Sequence, residues 1–329
     1  SSQHQEAISR MLYAIRERVG AAMLTGVFGC GKTVLAEAIL EELKKEQYQL
    51  ALIENPQLEY VDLLRAIVRN LKSIELPTKK TELSADYLLE VLENILTGNY
   101  RDGKDTVIII DEAHIIKDEN VFEELRLLLN FHLRDRFLLT LLLFGQPELK
   151  TKIEDNKQLE QRIAIKCHLE SLNEEETKNY ILHRLKVGGR EAPVFTEAAF
   201  KAIFSASGGI PRRINRICDL GLLTGFIKKA SIIDEDMIKA VSLKLAKPLF
   251  VVNARIIASS LDQNRAEDLF LSIASALTKF SSPIRNSFKI IKPKKIRSLI
   301  FNYVFREFDS NQTMVLNTEE MASIFHLPT

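Results

Sequence analysis

Eight consecutive residues, Gly26-Val27-Phe28-Gly29-Cys30-Gly31-Lys32-Thr33, fit the pattern G-x-x-x-x-G-K-[ST]. They stand between a short apolar run at residues 21–25, which suits a strand, and residues 32–45, whose spacing suits a helix. A strand that turns through glycines into a helix is the setting in which this pattern has physical meaning. The glycines let the backbone wrap an anion, the amides of the loop and of the helix start point inward, and the helix dipole adds favourable potential. Lys32 supplies a mobile positive charge, and Thr33 offers a hydroxyl to a magnesium ion. Residues Gly26, Val27, Phe28, Gly29, Cys30, Gly31, Lys32, Thr33 and Val34 therefore form a candidate site for the phosphates of ATP. Cys30 is expected to contribute its backbone amide rather than a nucleophilic thiol.

A second run, Thr106-Val107-Ile108-Ile109-Ile110-Asp111-Glu112-Ala113-His114, is an unbroken apolar stretch that ends in two carboxylates. Such a stretch suits a strand buried on both faces of a parallel sheet. The carboxyl ends of strands are where open α/β sheets bind their ligands, so this has the arrangement of a Walker B strand. Asp111 would hold Mg2+, directly or through water, and Glu112 would act as general base on the attacking water. The competing reading of Asp-Glu is a cap on the next helix. His114 has two readings as well: it couples phosphate state to neighbouring elements, or it packs and hydrogen-bonds.

The rest of the chain extends this alternation. Residues 49–54, 137–144 and 163–169 read as further strands, with helical spacing at 61–71, 84–96 and 119–133. After Ser171 only helices follow, at 174–186, 196–205, 212–229 and 234–245, with caps such as Asn173 and Thr196. Lys247-Pro248 breaks that texture, and 249–258 then reads as strand, 262–280 as helix, with further elements at 288–291 and 296–308. The expected fold class is α/β: a P-loop parallel sheet with helices on both faces over residues 1–170, an all-helical lid over 171–246, and a small α+β segment over 247–329. No repeat with a period of about 20–50 residues is present, which excludes solenoids and propellers.

Composition narrows the function classes. The 329 residues are 46% hydrophobic and 27% charged, so the chain is neither disordered nor collagen-like. With 45 Lys+Arg against 44 Asp+Glu the net charge is +1, and no global field attracts nucleic acid or anionic lipid. Any such affinity needs a local patch. Lys289, Lys292, Lys294, Lys295 and Arg297 crowd around Pro293 and offer one, with a solvated loop as the alternative. Cys30, Cys167 and Cys218 form no CxxC and no metal-ligand spacing, which points to a reducing cytoplasm. No apolar run approaches the ~20 residues that span a bilayer, and no signal peptide opens the chain, so no transmembrane segment is expected. A start at Ser1 and an abrupt stop after His326-Leu327-Pro328-Thr329 read as a fragment at both ends.

Further residues carry a resemblance. His4-Gln5-Glu6-Ala7 before the first helix, Leu24-Thr25-Gly26, Asn55-Pro56, Asp111-Glu112-Ala113-His114, Phe144-Gly145-Gln146-Pro147-Glu148-Leu149, Gln161-Arg162-Ile163 and Gly209-Ile210-Pro211-Arg212-Arg213-Ile214-Asn215 stand in order along the chain. Over about residues 3–245 the chain resembles the AAA+ ATPases, and more narrowly the general secretion pathway A-type (ExeA-like) branch and its transposition relatives, the TniB and MuB ATPases. The resemblance implies that Gln146 is the sensor-one residue that places the lytic water. It implies that Arg162 is an arginine finger reaching the γ-phosphate of a neighbouring subunit, with Arg134 and Arg136 as fallbacks. Arg212 would be the sensor-two arginine, with Arg213 its rival. Residues 249–329 weakly resemble a type IV secretion or conjugation-associated segment preceding a HerA-like ATPase domain.

Three functions compete. The first is a Mg2+-dependent, ATP-hydrolysing homo-oligomeric switch that serves a membrane-associated secretion, pilus or DNA-transfer machine from the cytoplasm, peripheral to the inner face of the membrane. The second is a transposition-type regulator whose ATP-bound oligomer coats DNA. The third is a scaffold stabilised by nucleotide without turnover, which would not need the base Glu112.

Overall fold

The computed structural model describes residues 1–43, 46–56, 58–71, 84–133, 136–190, 192–245, 249–278, 290–291, 293, 296–310, 312–318 and 321–322. Five strands form a parallel sheet: β1 (Ala21–Gly26), β2 (Tyr48–Ile53), β3 (Asp105–Ile110), β6 (Leu139–Gly145) and β7 (Ile163–Leu169), in the order β2-β3-β6-β1-β7. A two-stranded hairpin, β4 (His132–Leu133) with β5 (Arg136–Phe137), stands outside it. Because β1 lies between β6 and β7, the loop that leaves its carboxyl end is flanked by strand ends on both sides, which is where ligands lodge in open α/β sheets.

The apolar runs are unbroken because the sheet is covered on both faces. Along β3, Val107 and Ile109 face one layer while Ile108 and Ile110 face the other. In β6, Leu142 and Phe144 join the first set, Leu141 and Leu143 the second. The first layer is closed by α1 (Ser2–Arg16) and α2 (Lys32–Glu42), through Met11, Ile15, Leu35 and Ile39. The second is closed by α3 (Tyr60–Asn70), α4 (Ala85–Arg101), α5 (Glu119–Leu128), α6 (Glu148–Asp155) and α7 (Lys157–Arg162). At the opposite end from the loop, Asp105 receives a two-pronged bond from Arg18 at 2.7 and 2.8 Å and a third, at 3.0 Å, from Arg136. These bonds tie the start of β3 to the residues after α1 and to the hairpin.

Several elements differ from the sequence expectations. His4-Gln5-Glu6-Ala7 lies inside α1, not before it. The helix expected over 119–133 ends at Leu128, where bonds three residues apart, Asn130 to Leu127 and Phe131 to Leu128, tighten the chain into the β4–β5 hairpin. Asn, a poor helix former, stands at that turn. The strand expected over 137–144 is consequently split, with Phe137 in the hairpin and β6 starting at Leu139.

The chain divides into two compact units, Ser1–His183 with Gly208–Arg213, and Arg184–Ser207 with Ile214–Thr329. Helix α8 (Glu174–Val187) begins in the first, and α10 (Pro211–Lys228) starts there with its first residues. Within the second unit, α9 (Glu197–Ser207), the later turns of α10 and α11 (Glu235–Leu245) bury Ile203, Ile217 and Ile238. The Cys218 thiol is buried there and its pKa is pushed up to about 12 by desolvation. Toward the end of the chain, β8 (Leu249–Val252) pairs antiparallel with β9 (Met314–Asn317), and α12 (Gln263–Thr278) and α13 (Ile296–Val304) lie between them in sequence. The strand expected over 249–258 stops at Val252, and the side-chain amide of the next residue, Asn253, donates to the carbonyls of Asp309 and Gln312. Of the basic run, Lys289, Lys292, Lys294 and Lys295 lie outside the described residues.

Leu142 is fully buried at the centre of the sheet. Leu142→Ala is expected to destabilise the chain by about 2–5 kcal/mol, read as a lower denaturant midpoint at unchanged slope.

Candidate active site

The loop between β1 and α2 closes on itself through Cys30 N–H to the Val27 carbonyl at 3.3 Å, and α2 opens with Leu35 N–H on the Gly31 carbonyl at 3.0 Å. Gly29 and Gly31 take φ of +84° and +105°, a left-handed backbone that side chains disfavour. Lys32 is only 4% exposed, although its charge must be compensated when buried. Its Nζ donates to the carbonyls of Gly26 at 2.9 Å and Val27 at 3.2 Å, so the ammonium is curled into the loop. Burial raises the pKa of the Cys30 thiol, which keeps it protonated and a poor nucleophile. Phe28 and Val34 are exposed.

Asp111 follows β3 and is 3% exposed. Its amide continues the ladder by donating to Ile53 at 2.9 Å. One carboxylate oxygen accepts from Glu112 N–H at 2.8 Å, the other from the Thr33 hydroxyl at 2.6 Å. The first turn of α2 and the end of β3 thus meet at a hydroxyl and a buried carboxylate. Hard oxygens of this kind suit Mg2+, which takes one or two carboxylates and fills its shell with water and phosphate oxygens. No group of three or more His, Cys, Asp and Glu that could form an all-protein metal cage occurs among the described residues.

Glu112 sits at φ +51°, a strained value for a residue with a side chain. Ile115 N–H on the Glu112 carbonyl, at 2.9 Å, closes the turn Ala113–Ile115 that holds it there. Oε2 of Glu112 is 3.3 Å from Nδ1 of His114, and Nε2 of Gln146 is 2.9 Å from Nε2 of the same ring. Gly145 permits the approach of β6 to this turn. A Cβ there would lie 2.9 Å from Leu149 Cδ2 and 3.2 Å from the His114 amide nitrogen.

The structure therefore brings together Lys32, Thr33, Asp111, Glu112 and, through His114, Gln146. Arg212 joins them from α10: its amide donates to the Gly29 carbonyl at 3.2 Å, and its guanidinium stacks over the Phe28 ring at 4.7 Å. Arg213 is exposed beside it. Arg162 is placed elsewhere. It is the exposed last residue of α7, and Ile163 after it pairs with Ala21 at the far end of β1. Five strand residues, roughly 17 Å, separate that end from the phosphate loop of the same chain. Arg136 is engaged by Asp105 and stacks on Tyr100, and Arg134 lies outside the described residues.

Two contributors carried no sequence signal as site residues. His4 Nε2 donates to the Cys30 carbonyl at 2.8 Å, so α1 braces the phosphate loop. Lys152 on α6 donates to the carbonyls of His114 and Ile116 and fixes the turn that carries Glu112.

Residues 15–153 match the family described as AAA domain. The chain is 36% identical over 231 residues to general secretion pathway protein A of Aeromonas hydrophila, a match covering 69% of this chain and 41% of that protein. It thus spans about two fifths of that relative's length. Among solved structures it is similar to Cdc6p from Pyrobaculum aerophilum, at a TM-score of 0.59 and 15% identity over 98% of this chain and 91% of that one. The ADP form of the Aeropyrum pernix ORC2 protein aligns at a TM-score of 0.55 and 16% identity, over 99% and 90%. The Walker-type ATPase of Pyrococcus abyssi aligns at 0.52 and 18%, over 98% and 95%. These structural likenesses show a shared AAA+ P-loop fold.

Gly145→Ala is expected to force Leu149 and the His114 turn apart. The expected cost is about 1–3 kcal/mol of stability, measured by denaturant unfolding.

Proposed function

From a chain that carries an AAA domain over residues 15–153, we propose a Mg2+-dependent ATPase that switches the assembly of a secretion, pilus or DNA-transfer machine. The observation that carries this reading is the meeting of the Thr33 hydroxyl with the buried Asp111 carboxylate beside a lysine-bearing phosphate loop, with Glu112 one residue further on.

Lys32 and the amides of residues 26–34 bind the phosphates, with the dipole of α2 adding to the attraction. Mg2+ held by Thr33 and Asp111 would offset charge on the phosphate oxygens. Glu112 takes a proton from water as the water oxygen bonds to the γ-phosphorus and the bond to the β-γ bridging oxygen breaks, leaving ADP and phosphate. Gln146 bears on the placement of that water from behind His114, whose ring lies between it and Glu112. Arg162, remote from its own phosphate loop, acts on nucleotide bound by a neighbouring copy, so the working form is a homo-oligomer. Arg212 touches the loop from the first turn of α10 and reports nucleotide state to the start of that helix.

The secretion setting rests on the likeness to general secretion pathway protein A. Among the described residues no helix is long and apolar enough to cross a membrane. The proposed location is cytoplasmic, docked by protein contacts at the inner face of the membrane. A domain organisation of nucleotide-binding domain to about residue 170, helical lid to 246 and accessory segment beyond belongs to the same proposal.

Glu112→Gln is expected to bind ATP normally and to lose about 10²–10⁴ in turnover, while Lys32→Ala weakens binding itself. Unchanged phosphate release in Glu112→Gln would reject the assigned base. ATPase activity per subunit is expected to rise with protein concentration, and mixing Arg162→Ala with Lys32→Ala chains should restore turnover that neither has alone. Flat specific activity across dilution, without assembly by light scattering, rejects the trans arrangement. Turnover stimulated by DNA and lost steeply with salt would instead favour the transposition-type regulator.

A further inference from the structure

His114 stands between two groups that the proposed hydrolysis needs. Its ring is 12% exposed, and Nδ1 is buried without an aligned hydrogen bond, 3.3 Å from Oε2 of Glu112. A carboxylate oxygen at that distance favours a proton on Nδ1, because a lone pair there would face another lone pair. In the neutral ring Nε2 is then an acceptor. The group facing it, 2.9 Å away, is the amide nitrogen of Gln146, which is a donor. A single proton arrangement therefore serves all three side chains: Gln146 donates to His114, and His114 keeps its proton on the nitrogen that lies 3.3 Å from the Glu112 carboxylate.

The ring is also fixed from behind. Lys152 donates to the His114 and Ile116 carbonyls, and Gly145 brings the end of β6 against the His114 amide. Strands β3 and β6 are neighbours in register up to Ile110 and Leu143, so a shift at the end of one is felt at the end of the other. Glu112, by contrast, is 29% exposed in its side chain and hangs from a strained backbone. Left alone, its carboxylate would sample several rotamers.

We propose that His114 is a positioning residue that aims Glu112 and passes the placement of Gln146 to it, so that Gln146 acts on the reaction through this ring. The inference rests on the hydrolytic reading given above and assigns a coupling within that same site.

The test uses the full chain, ATP and Mg2+, and compares His114→Ala, Gln146→Ala and the double variant. His114→Ala is expected to lower kcat about a hundredfold with KM and the Kd for ATP nearly unchanged. Gln146→Ala should lower kcat in the unaltered chain but by less than about twofold when His114 is already Ala, because coupled residues are non-additive. His114→Asn, whose amide N–H can stand where Nδ1–H stood, should recover part of kcat and remain indifferent to Gln146→Ala. If His114→Ala does not fold, the Asn variant carries the same comparison. Losses that multiply in the double variant overturn the proposal, as does ATP affinity falling in step with kcat. No turnover in the unaltered chain overturns the hydrolytic reading and this inference together. Turnover that survives His114→Ala overturns this inference alone.

Discussion

The bond from the exposed Thr33 hydroxyl to the buried Asp111 carboxylate, 2.6 Å long, joins two pieces of chain 78 residues apart. A buried carboxylate needs partners, and Asp111 finds them in Thr33 and in the Glu112 amide. Those two bonds set where the first turn of α2 meets the end of β3, and hence where Lys32 and Glu112 stand relative to one another. The proposed chemistry depends on that meeting more than on any other contact.

The sheet makes the meeting possible. With β6 between β1 and β3, the phosphate loop and the acidic strand end are separated by one strand, whose own end supplies Gln146. Both faces of these strands are buried, so register is held by side chains above and below: a slip of one residue in β3 would exchange Val107 and Ile109 with Ile108 and Ile110. The same packing fixes the positions of side chains that carry charge. Arg212 extends the arrangement by stacking on Phe28, linking the start of α10 to the loop itself.

The features legible in the sequence are those written in consecutive residues. Apolar period and length mark the parallel strands, glycines and a lysine between strand and helix mark the phosphate loop, and the paired acids after Ile110 mark the second strand end. What was not legible depends on pairing between distant segments. His4 braces Cys30 and Lys152 braces the turn at His114 across separations that leave no local pattern. The β4–β5 hairpin was hidden inside apparent helix spacing, since Leu127 to Leu133 is apolar except at Asn130 and His132. Residues 249–258 read as strand, but the partner β9, more than sixty residues further on, carries only four residues, too few for an alternation to register. His114, Glu112 and Gln146 were each visible as residues, but the approach of Gln146 to the His114 ring was not, because Gln146 arrives from a different strand.

The most direct measurement is isothermal titration of the chain with a non-hydrolysable ATP analogue in the presence of Mg2+, repeated with magnesium chelated. A saturable heat at one nucleotide per chain, weakened on chelation, is the predicted result. No heat in either condition would contradict the assignment of the Gly26–Thr33 loop and the Asp111 carboxylate to a nucleotide site.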